Sequence, residues 1–241
     1  MRAMVLAAGL GTRLRPLTND RPKALVEIGG RTLLEITLAR LRECGVREVM
    51  VNVHHFADKV VDYLKAHDNF GMRIEISRED DKLLDTGGGL KKAAWFFLER
   101  PDELFILHNV DVISTIDLAR VMKCHREQHA LATLAVQERK TSRYLLFDEQ
   151  GLLCGRRAGT EGKEELVRPA SQVWALAFNG IHVISPRLLT MVTESGAFSI
   201  IDSYLRLARA GEKIVAFRAD EYSWRDVGRV EDLRRAAEEE S

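Results

Sequence analysis

The sequence contains little cysteine, has no net charge and lacks long apolar runs. Its three cysteines, Cys44, Cys124 and Cys154, are odd in number and widely spaced. This pattern argues against a disulfide framework and against a Cys-x-x-Cys metal site. Lysine plus arginine and aspartate plus glutamate both total 36 residues, so no basic excess would attract nucleic acid or an anionic membrane. No apolar run approaches the ~20 residues that span a bilayer, and we therefore expect reduced thiols and neither a nucleic-acid nor a membrane partner.

The remaining composition is that of a globular protein. The chain is 46% hydrophobic and 30% charged over 241 residues, which is enough for one large domain with a substantial core. Its start has no basic flank followed by a cleavable apolar segment, as a secretory signal would have. We expect a single domain over residues 1–241 and a cytoplasmic location.

Short apolar runs alternate with segments of helical periodicity. Strands are predicted near residues 2–8, 47–53, 72–77, 104–109, 131–138, 178–184 and 213–217. Helices are predicted near residues 56–67, 88–99, 117–129, 186–194 and 199–210, and a further helix follows the capping box Thr32-Leu33-Leu34-Glu35. The alternation predicts a three-layer α/β domain with a largely parallel sheet. Phosphate ligands would then lie at the carboxyl ends of the strands.

The loop after the first strand has the composition of a polyphosphate site. Gly9 and Gly11 lack Cβ and can bring backbone N–H groups close to phosphate oxygens. Arg13, Arg15 and Lys23 would offset the negative charge. The loop is not a P-loop, because no Gly-Lys-Ser/Thr sequence opens a helix, and Arg13 occupies the region where a dinucleotide fingerprint has its third glycine. An ordinary glycine turn with solvated basic residues is the alternative.

This segment resembles the signature of the sugar-1-phosphate nucleotidyltransferases. The matching residues are 9–18, GLGTRLRPLT, and 21–26, RPKALV. In this family a sugar 1-phosphate attacks the α-phosphate of a nucleoside triphosphate, which yields a nucleotide-sugar and pyrophosphate. The resemblance implies a three-layer Rossmann-like nucleotidyltransferase fold with a mixed, largely parallel sheet. It also implies two catalytic residues, Arg13 to grip the triphosphate and Lys23 to contact phosphate during transfer.

The apolar strand predicted near residues 104–109 is followed closely by Asp111. A carboxylate there could bridge a divalent cation to phosphate oxygens, or it could cap the turn before Ser114. The family carries a metal-binding aspartate at the end of this strand, so the resemblance implies that Asp111 binds Mg²⁺. Many members have glycine immediately before this aspartate, where this chain has Val110.

Residues 224–228, Trp-Arg-Asp-Val-Gly, resemble the family's Trp-x-Asp-Val-Gly stretch. The resemblance implies that Asp226 is the second carboxylate on Mg²⁺, although an aspartate beside glycine is by itself usually a turn residue. Two reacting anions ~4 Å apart repel by about 4 kcal/mol at an effective dielectric constant of ~20. Mg²⁺, Arg13 and Lys23 would offset this repulsion, and the ionised attacking phosphate oxygen needs no general base.

Asp85-Thr86-Gly87-Gly88-Gly89-Leu90 is predicted to form a loop between a strand and a helix. Three consecutive glycines would let a base or ribose approach the backbone, and a flexible turn is the alternative. The run is similar to the Glu-Thr-Gly-Gly-Gly of N-acetylmuramate-1-phosphate uridylyltransferases, with Asp85 replacing Glu. We therefore favour uridine triphosphate as the donor. Guanosine triphosphate with a mannose- or heptose-type 1-phosphate is the alternative, because short guanylyltransferases are also similar.

The resemblance implies the remaining binding residues. Nucleotide contacts are expected from Leu6, Ala8, Gly9, Gly11, Thr12, Arg13, Thr86, Gly87, Gly88 and Asn109. The run Phe178-Asn179-Gly180-Ile181-His182-Val183 resembles the family's sugar-side strand, which places Asn179 and Gly180 at the hexose. Residues 141–173 contain a predicted turn at 148–151 and a polar stretch at 155–165. They predict a hairpin and a mobile loop over the sugar side of the cleft, or a plain surface excursion.

Two other classes of protein fit parts of the sequence. A non-catalytic nucleotide-sugar-binding subunit could keep the fold, but the joint presence of Arg13, Lys23, Asp111 and Asp226 argues against it. A nicotinamide dehydrogenase is disfavoured by Arg13 and by the lack of a clear ribose-binding acid on the second strand. The sequence therefore predicts a magnesium-dependent enzyme that joins a nucleoside triphosphate to a sugar 1-phosphate.

Overall fold

The computed structural model describes residues 1–160, 162–228 and 231–233. The strands in these ranges are β1 (Arg2–Leu6), β2 (Glu27–Ile28), β3 (Arg31–Thr32), β4 (Glu48–Val53), β5 (Arg73–Arg78), β6 (Phe105–Asn109), β7 (Val112–Ser114), β8 (Ala132–Gln137), β9 (Arg143–Phe147), β10 (Leu153–Ala158), β11 (Glu164–Leu166), β12 (Trp174–Ile184), β13 (Ile214–Arg218) and β14 (Trp224–Asp226). The α-helices are α1 (Leu33–Glu43), α2 (Ala57–Ala66), α3 (Asp85–Lys92), α4 (Ala94–Leu98), α5 (Leu118–Glu127), α6 (Arg187–Met191) and α7 (Ile200–Arg209).

Ten of the strands form one mixed sheet. Its order is β11-β10-β9-β12-β6-β1-β4-β5, and β8 pairs with both β12 and β13. Pairing is parallel along β6-β1-β4-β5 and between β8 and β13. It is antiparallel around β12 and through β9, β10 and β11. The mixed α/β fold is thus confirmed, and the antiparallel pairs β9–β10 and β10–β11 are joined by short connections without a helix.

The central strand β1 creates a crevice at one edge of the sheet. Its neighbours are β4 on one side and β6 on the other, both parallel to it. Leu6 at its carboxyl end lies opposite Asn52 of β4 and Asn109 of β6. Connections that leave adjacent parallel strands in opposite directions open a crevice beyond these strand ends, where such folds bind ligands.

Two apolar cores cover the two faces of the sheet. Along β1, Ala3 and Val5 belong to the core that also holds buried residues of α1, α2 and α5. Met4, which points to the opposite face, belongs to the core with buried residues of α3, α4 and α7. Alternate residues of a strand face opposite sides, so β1 is buried on both and the predicted three layers are confirmed. No helix in the described ranges is long and apolar enough to cross a membrane.

The segment around residues 141–173 forms a wall beside β12. A turn joins β9 to β10, with Gly151 at a φ of 75° and Asp148 Oδ1 accepting hydrogen bonds from two backbone N–H groups. β10 also pairs with β11, and β9 pairs with β12. Glu161 lies outside the described residues, so the mobility expected for residues 155–165 stays a prediction.

Candidate active site

The loop that follows β1 is shaped by Gly11. Its φ is 63°, and a Cβ atom there would lie 3.0 Å from Thr18 and 3.1 Å from Lys23. The Thr18 hydroxyl donates a 2.9 Å hydrogen bond to the carbonyl of Gly11. Glycine is needed here for both its left-handed backbone and its size, and the resulting turn brings Lys23 back under the loop.

Lys23 and Asp111 form an ion pair beside the carboxyl end of β6. Nζ of Lys23 donates to Oδ2 of Asp111 at 2.5 Å. The Lys23 side chain is only 8% exposed, whereas that of Asp111 is 24% exposed. Because the ammonium group is nearly enclosed, the Asp111 carboxylate is the main group that balances its charge in the described part of the chain. The more exposed side of the pair is that of Asp111.

A short antiparallel pairing brings Asp226 to Asp111. Strand β14 pairs with β7 so that Asp226 lies opposite Val112, and the backbone N–H of Val227 donates to the carbonyl of Asp111 at 2.9 Å. Asp111 precedes Val112 directly, so two carboxylates separated by more than a hundred residues in the chain become neighbours. This convergence is tertiary, since neither local sequence contains it.

The environment of Asp226 is unfavourable for an isolated carboxylate. Its Oδ1 atom is buried and has no hydrogen-bond partner. Burial and the Asp111 carboxylate raise the pKa of Asp226, while Lys23 and Arg13 oppose that shift. A Cβ on Gly228 would lie 2.7 Å from Asp226 Oδ1 and 2.9 Å from the Arg13 guanidinium. Glycine at this position therefore lets Arg13 and Asp226 approach each other.

These carboxylates fit a divalent cation. No group of three or more His, Cys, Asp and Glu side chains in the described ranges could hold a metal by itself. Asp111 and Asp226 nevertheless offer two hard oxygen ligands, and Mg²⁺ is commonly bound by one or two carboxylates together with substrate phosphates. The unpartnered Oδ1 atom of Asp226 is the observation that favours this fit, because a cation would supply the missing compensation.

Two cavities meet at the charged residues Arg13, Lys23, Asp111 and Asp226. The smaller, about 180 Å³, is lined by Leu6, Ala8, Gly9, Lys23, Leu83, Asp85, Thr86, Asn109, Val110 and Asp111. The larger, about 730 Å³, contains Arg13, Asn109, Gly180 and Asp226 in its walls. Asn109 borders both. The structure thus gathers five of the ten residues expected to bind nucleotide around the smaller cavity, and it places Arg13 on the larger one beside Asp226. Gly11 and Thr12 lie in the adjoining loop.

The glycine run has a different structure from the predicted loop. Asp85 to Gly89 form the first turns of α3, and the helix predicted over residues 88–99 is divided at Ala93. Cβ atoms on Gly87 and Gly88 would lie 2.3 Å from the Phe198 ring and 2.4 Å from the carbonyl of Gly196. The low helix propensity of glycine is overcome by this close packing.

Consequently, Gly87 and Gly88 face protein and not open space. Their N–H groups both point to the carbonyl of Phe198, at 2.9 and 3.4 Å. Thr86 is different, because it lines the smaller cavity while its hydroxyl accepts a hydrogen bond from the N–H of Ile200. Of these three residues, only Thr86 borders the cavity, and contact of the two glycines with a nucleotide stays a prediction.

Asn179 and Gly180 also have distinct positions. Gly180 has a φ of 73°, and a Cβ there would lie 2.7 Å from the Asn109 amide. Asn179 is completely buried. Its Oδ1 atom accepts weak hydrogen bonds from Arg139, whose guanidinium lies 3.6 Å from the centre of the Trp224 ring. Gly180 lines the larger cavity and Asn179 does not, so contact of the Asn179 side chain with a sugar stays a prediction.

Arg139 and several neighbouring cations were not anticipated. The larger cavity is lined by Arg13, Arg139, Arg143, Arg156, Arg157 and Lys163, against Glu165, Asp202 and Asp226 as acidic groups. Trp224 was identified within a motif, but nothing in the local sequence indicated that Arg139 stacks on it. The excess of positive charge is therefore a property of the assembled wall formed by β9, β10 and β12.

A family model described as nucleotidyl transferase matches residues 2–241. The chain is similar to an N-acetylmuramate alpha-1-phosphate uridylyltransferase from Caulobacter vibrioides, with 38% identity over 94% of this chain and 91% of that protein. It is also similar to a mannose-1-phosphate guanyltransferase from Yarrowia lipolytica, with 27% identity over 97% of this chain but only 62% of that protein.

A solved structure has a similar fold. HddC from Yersinia pseudotuberculosis, complexed with GMP-PN, superposes with a TM-score of 0.79 and 20% identity, covering 100% of this chain and 99% of that chain. At this identity the likeness concerns the fold alone. Together with the sequence relatives, these matches confirm the resemblance that the loop, the aspartates and the glycine run suggested.

Proposed function

Because the chain belongs to the nucleotidyl transferase family, we propose that it transfers a nucleotidyl group from a nucleoside triphosphate to a sugar 1-phosphate. The observation that carries this proposal is the convergence of Arg13, Lys23, Asp111 and Asp226 where two cavities meet. One cavity would hold the nucleotide and the other the sugar 1-phosphate. Such a junction would place the attacking phosphate against the α-phosphate.

The charged residues have separable tasks in this reaction. Lys23 and Arg13 would bind phosphate oxygens and offset the repulsion between two anionic substrates. Asp111 and Asp226 would hold Mg²⁺, which supplies charge neutralisation for the transferred and leaving phosphates. A sugar phosphate oxygen forms the new bond to the α-phosphorus as the bond to pyrophosphate breaks. No proton needs to be removed from the attacking oxygen.

We propose uridine triphosphate as the donor. The support is the glycine run and the similarity to the Caulobacter uridylyltransferase, whereas the Yarrowia guanyltransferase supports guanosine triphosphate as the alternative. Base recognition by hydrogen bonds in a closed cavity leaves polar groups unpaired when the wrong base binds, which lowers kcat/KM by a factor on the order of 10² or more.

We expect uridine triphosphate to dominate when kcat/KM is measured for each nucleoside triphosphate by pyrophosphate release. Every triphosphate is tested against the same panel of sugar 1-phosphates, with Mg²⁺ in excess. A dominant guanosine triphosphate would overturn the uridylyl assignment and leave the reaction class intact. Absence of pyrophosphate release with every pair would instead favour a non-catalytic nucleotide-sugar-binding subunit.

For the acceptor we propose a sugar 1-phosphate that carries a second anionic group besides the phosphate. Arg143 and Lys163 line the larger cavity, and the side chain of neither forms an ion pair or a hydrogen bond with another described residue. An unpaired cation facing a cleft is available to a ligand anion. N-acetylmuramate, the sugar named for the Caulobacter relative, bears a lactyl carboxylate that N-acetylglucosamine lacks.

We expect the kcat/KM for N-acetylmuramate 1-phosphate to exceed that for N-acetylglucosamine 1-phosphate. Arg143→Gln should raise KM for the former about tenfold, the value of one charged hydrogen bond, and should leave the latter unchanged. Arg209→Gln, on the exposed end of α7, is the matched control. Equal use of the two sugars by the parent enzyme would remove the proposed carboxylate site.

One domain over residues 1–241 and a cytoplasmic location stay predictions. They are compatible with this function, because nucleoside triphosphates are intracellular metabolites.

A further inference from the structure

A chain of three hydrogen bonds, two of them buried and the third partly buried, runs behind the smaller cavity. The backbone N–H of Ala7 donates to Asn52 Oδ1 at 2.7 Å, and Asn52 Nδ2 donates to Glu79 Oε1 at 2.7 Å. The backbone N–H of Leu84 donates to Glu79 Oε2 at 2.8 Å. Asn52 is 2% exposed and Glu79 is 1% exposed. Neither side chain lines the cavity.

The two ends of this chain of bonds belong to opposite walls of the cavity. Ala7 leads directly into Ala8 and Gly9, which form one wall. Leu84 lies between Leu83 and Asp85, which form the other. Asn52 and Glu79 stand at the ends of the adjacent strands β4 and β5. The N–H of Glu79 also donates to the carbonyl of Val53 at 2.8 Å, so the backbone that carries the carboxylate is anchored to the sheet.

Packing leaves this chain of bonds little freedom. A Cβ on Gly89 would lie 2.8 Å from both Asn52 Nδ2 and Glu79 Oε1. Glycine at position 89 therefore allows α3 to lie directly on the Asn52–Glu79 pair. The donors and acceptors also have one workable order, because the carboxylate of Glu79 only accepts, while Asn52 must accept from Ala7 and donate to Glu79.

We propose that Asn52 and Glu79 are positioning residues that hold the two walls of the nucleotide cavity at the separation required by a nucleoside triphosphate. This inference rests on the proposed function, because it takes the smaller cavity as the nucleotide site. Asn52 and Glu79 act through Ala7–Gly9 on one side and Leu83–Thr86 on the other, without touching the ligand. A polar group at position 52 or 79 that lost its hydrogen-bond partner would be destabilising in this buried location. One wall would move to relieve that cost.

The test exchanges the donor and acceptor roles across the Asn52–Glu79 hydrogen bond. Glu79→Gln introduces an N–H₂ group that must face either Asn52 Nδ2 or the N–H of Leu84, both of which are donors. Asn52→Asp places a second carboxylate against Glu79. In the double variant, the new carboxylate at position 52 can accept from Ala7 and from the new amide at position 79, whose carbonyl oxygen can still accept from Leu84. All three hydrogen bonds are then restored with the original number of charges.

We expect Glu79→Gln and Asn52→Asp each to raise KM for the nucleoside triphosphate about tenfold, which corresponds to one lost hydrogen bond. The KM for the sugar 1-phosphate and kcat at saturating triphosphate should change little. The double variant should return the triphosphate KM to within about threefold of the parent value. The remaining difference corresponds to the part of one hydrogen bond's free energy that is lost when its geometry changes. Glu75→Gln, the same substitution on the partly exposed part of β5, should have no effect.

Three results would overturn the proposal. These are an unchanged triphosphate KM in both single variants, a double variant no better than the worse single variant, and an equal rise in KM for both substrates. If Asn52→Asp fails to fold, Glu79→Gln and the double variant still provide the comparison.

Two further measurements separate this proposal from the proposed function. Equilibrium binding of uridine and guanosine triphosphates is measured without sugar, and amide hydrogen exchange is followed at Ala7 and Leu84. Triphosphate binding by the parent protein without turnover would overturn the transferase proposal. The positioning role would still be tested, because recovery in the double variant can be measured as triphosphate affinity. Unchanged exchange at both amides in the single variants, or no triphosphate binding by the parent protein, would overturn the positioning role itself.

Discussion

Asp111→Asn and Asp226→Asn are each expected to reduce turnover about a thousandfold at limiting Mg²⁺, while both variants remain folded. Asparagine keeps the shape of the side chain but removes the charge that would hold the cation. Charge stabilisation by a bound metal contributes several kcal/mol to such a transition state, and about 4 kcal/mol corresponds to a thousandfold change in rate. Steady-state pyrophosphate release, titrated with Mg²⁺, measures the loss.

The same two substitutions should differ in their effect on stability. Asp111→Asn leaves the enclosed Lys23 ammonium without its ion-pair partner, so the melting temperature should fall. Asp226→Asn removes the charge of a half-buried carboxylate whose Oδ1 has no hydrogen-bond partner and whose pKa is raised by burial and by Asp111. Its melting temperature should therefore stay the same or rise, because a neutral amide costs less to desolvate and is not repelled by Asp111.

A loss of turnover in Asp226→Asn without a fall in melting temperature would separate a lost metal ligand from a damaged fold. Asp62→Asn, on an exposed position of α2, is the control and should leave both turnover and melting temperature unchanged. Turnover near the parent level in either active-site variant would remove that aspartate from the proposed metal site. A loss of turnover in Asp111→Asn alone would leave the cation with one protein ligand.

Arg13→Lys is expected to lower the rate of transfer about a hundredfold. Lysine keeps the charge but loses the planar fork of donors that can bind two phosphate oxygens at once, and charged hydrogen bonds of this kind contribute about 1.5–3 kcal/mol each. The guanidinium lies next to the position that Gly228 leaves open beside Asp226. The single ammonium group of a lysine at this position cannot contact the same two phosphate oxygens at once.

Arg15→Lys provides the matched control, because Arg15 is an exposed residue of the same loop. It does not line either of the two cavities. We expect its effect on kcat/KM to stay within about threefold, the size of an ordinary surface substitution. Equal effects of the two substitutions, large or small, would contradict the separate roles assigned to these arginines.

Local structure was largely predictable from the sequence. In the capping box, Thr32 Oγ1 accepts a hydrogen bond from the N–H of Glu35 at 3.1 Å, as predicted. The predicted strand near 47–53 corresponds to β4, and the predicted helix near 117–129 corresponds to α5. Interactions and periodicities of this kind involve residues within a few positions of each other, so they are present in the sequence itself.

The glycine run shows where local propensity was insufficient. Consecutive glycines disfavour a helix in isolation, and the sequence accordingly suggested a loop before one. The structure has Asp85 to Gly89 inside α3, because Phe198 and Gly196 approach Gly87 and Gly88 too closely for any side chain. That packing partner lies more than a hundred residues away in the chain, and no local pattern indicates it.

The sequence by itself determined the family, the α/β alternation and the identity of the charged residues expected at the site. These follow from short motifs and from periodicity. Only the tertiary structure decided that Asp226 meets Asp111 through the pairing of β14 with β7, that Arg139 stacks on Trp224, and that Asn52 and Glu79 join two cavity walls. The physical reason is that each of these contacts links residues distant in the chain, whose approach depends on strand order and register.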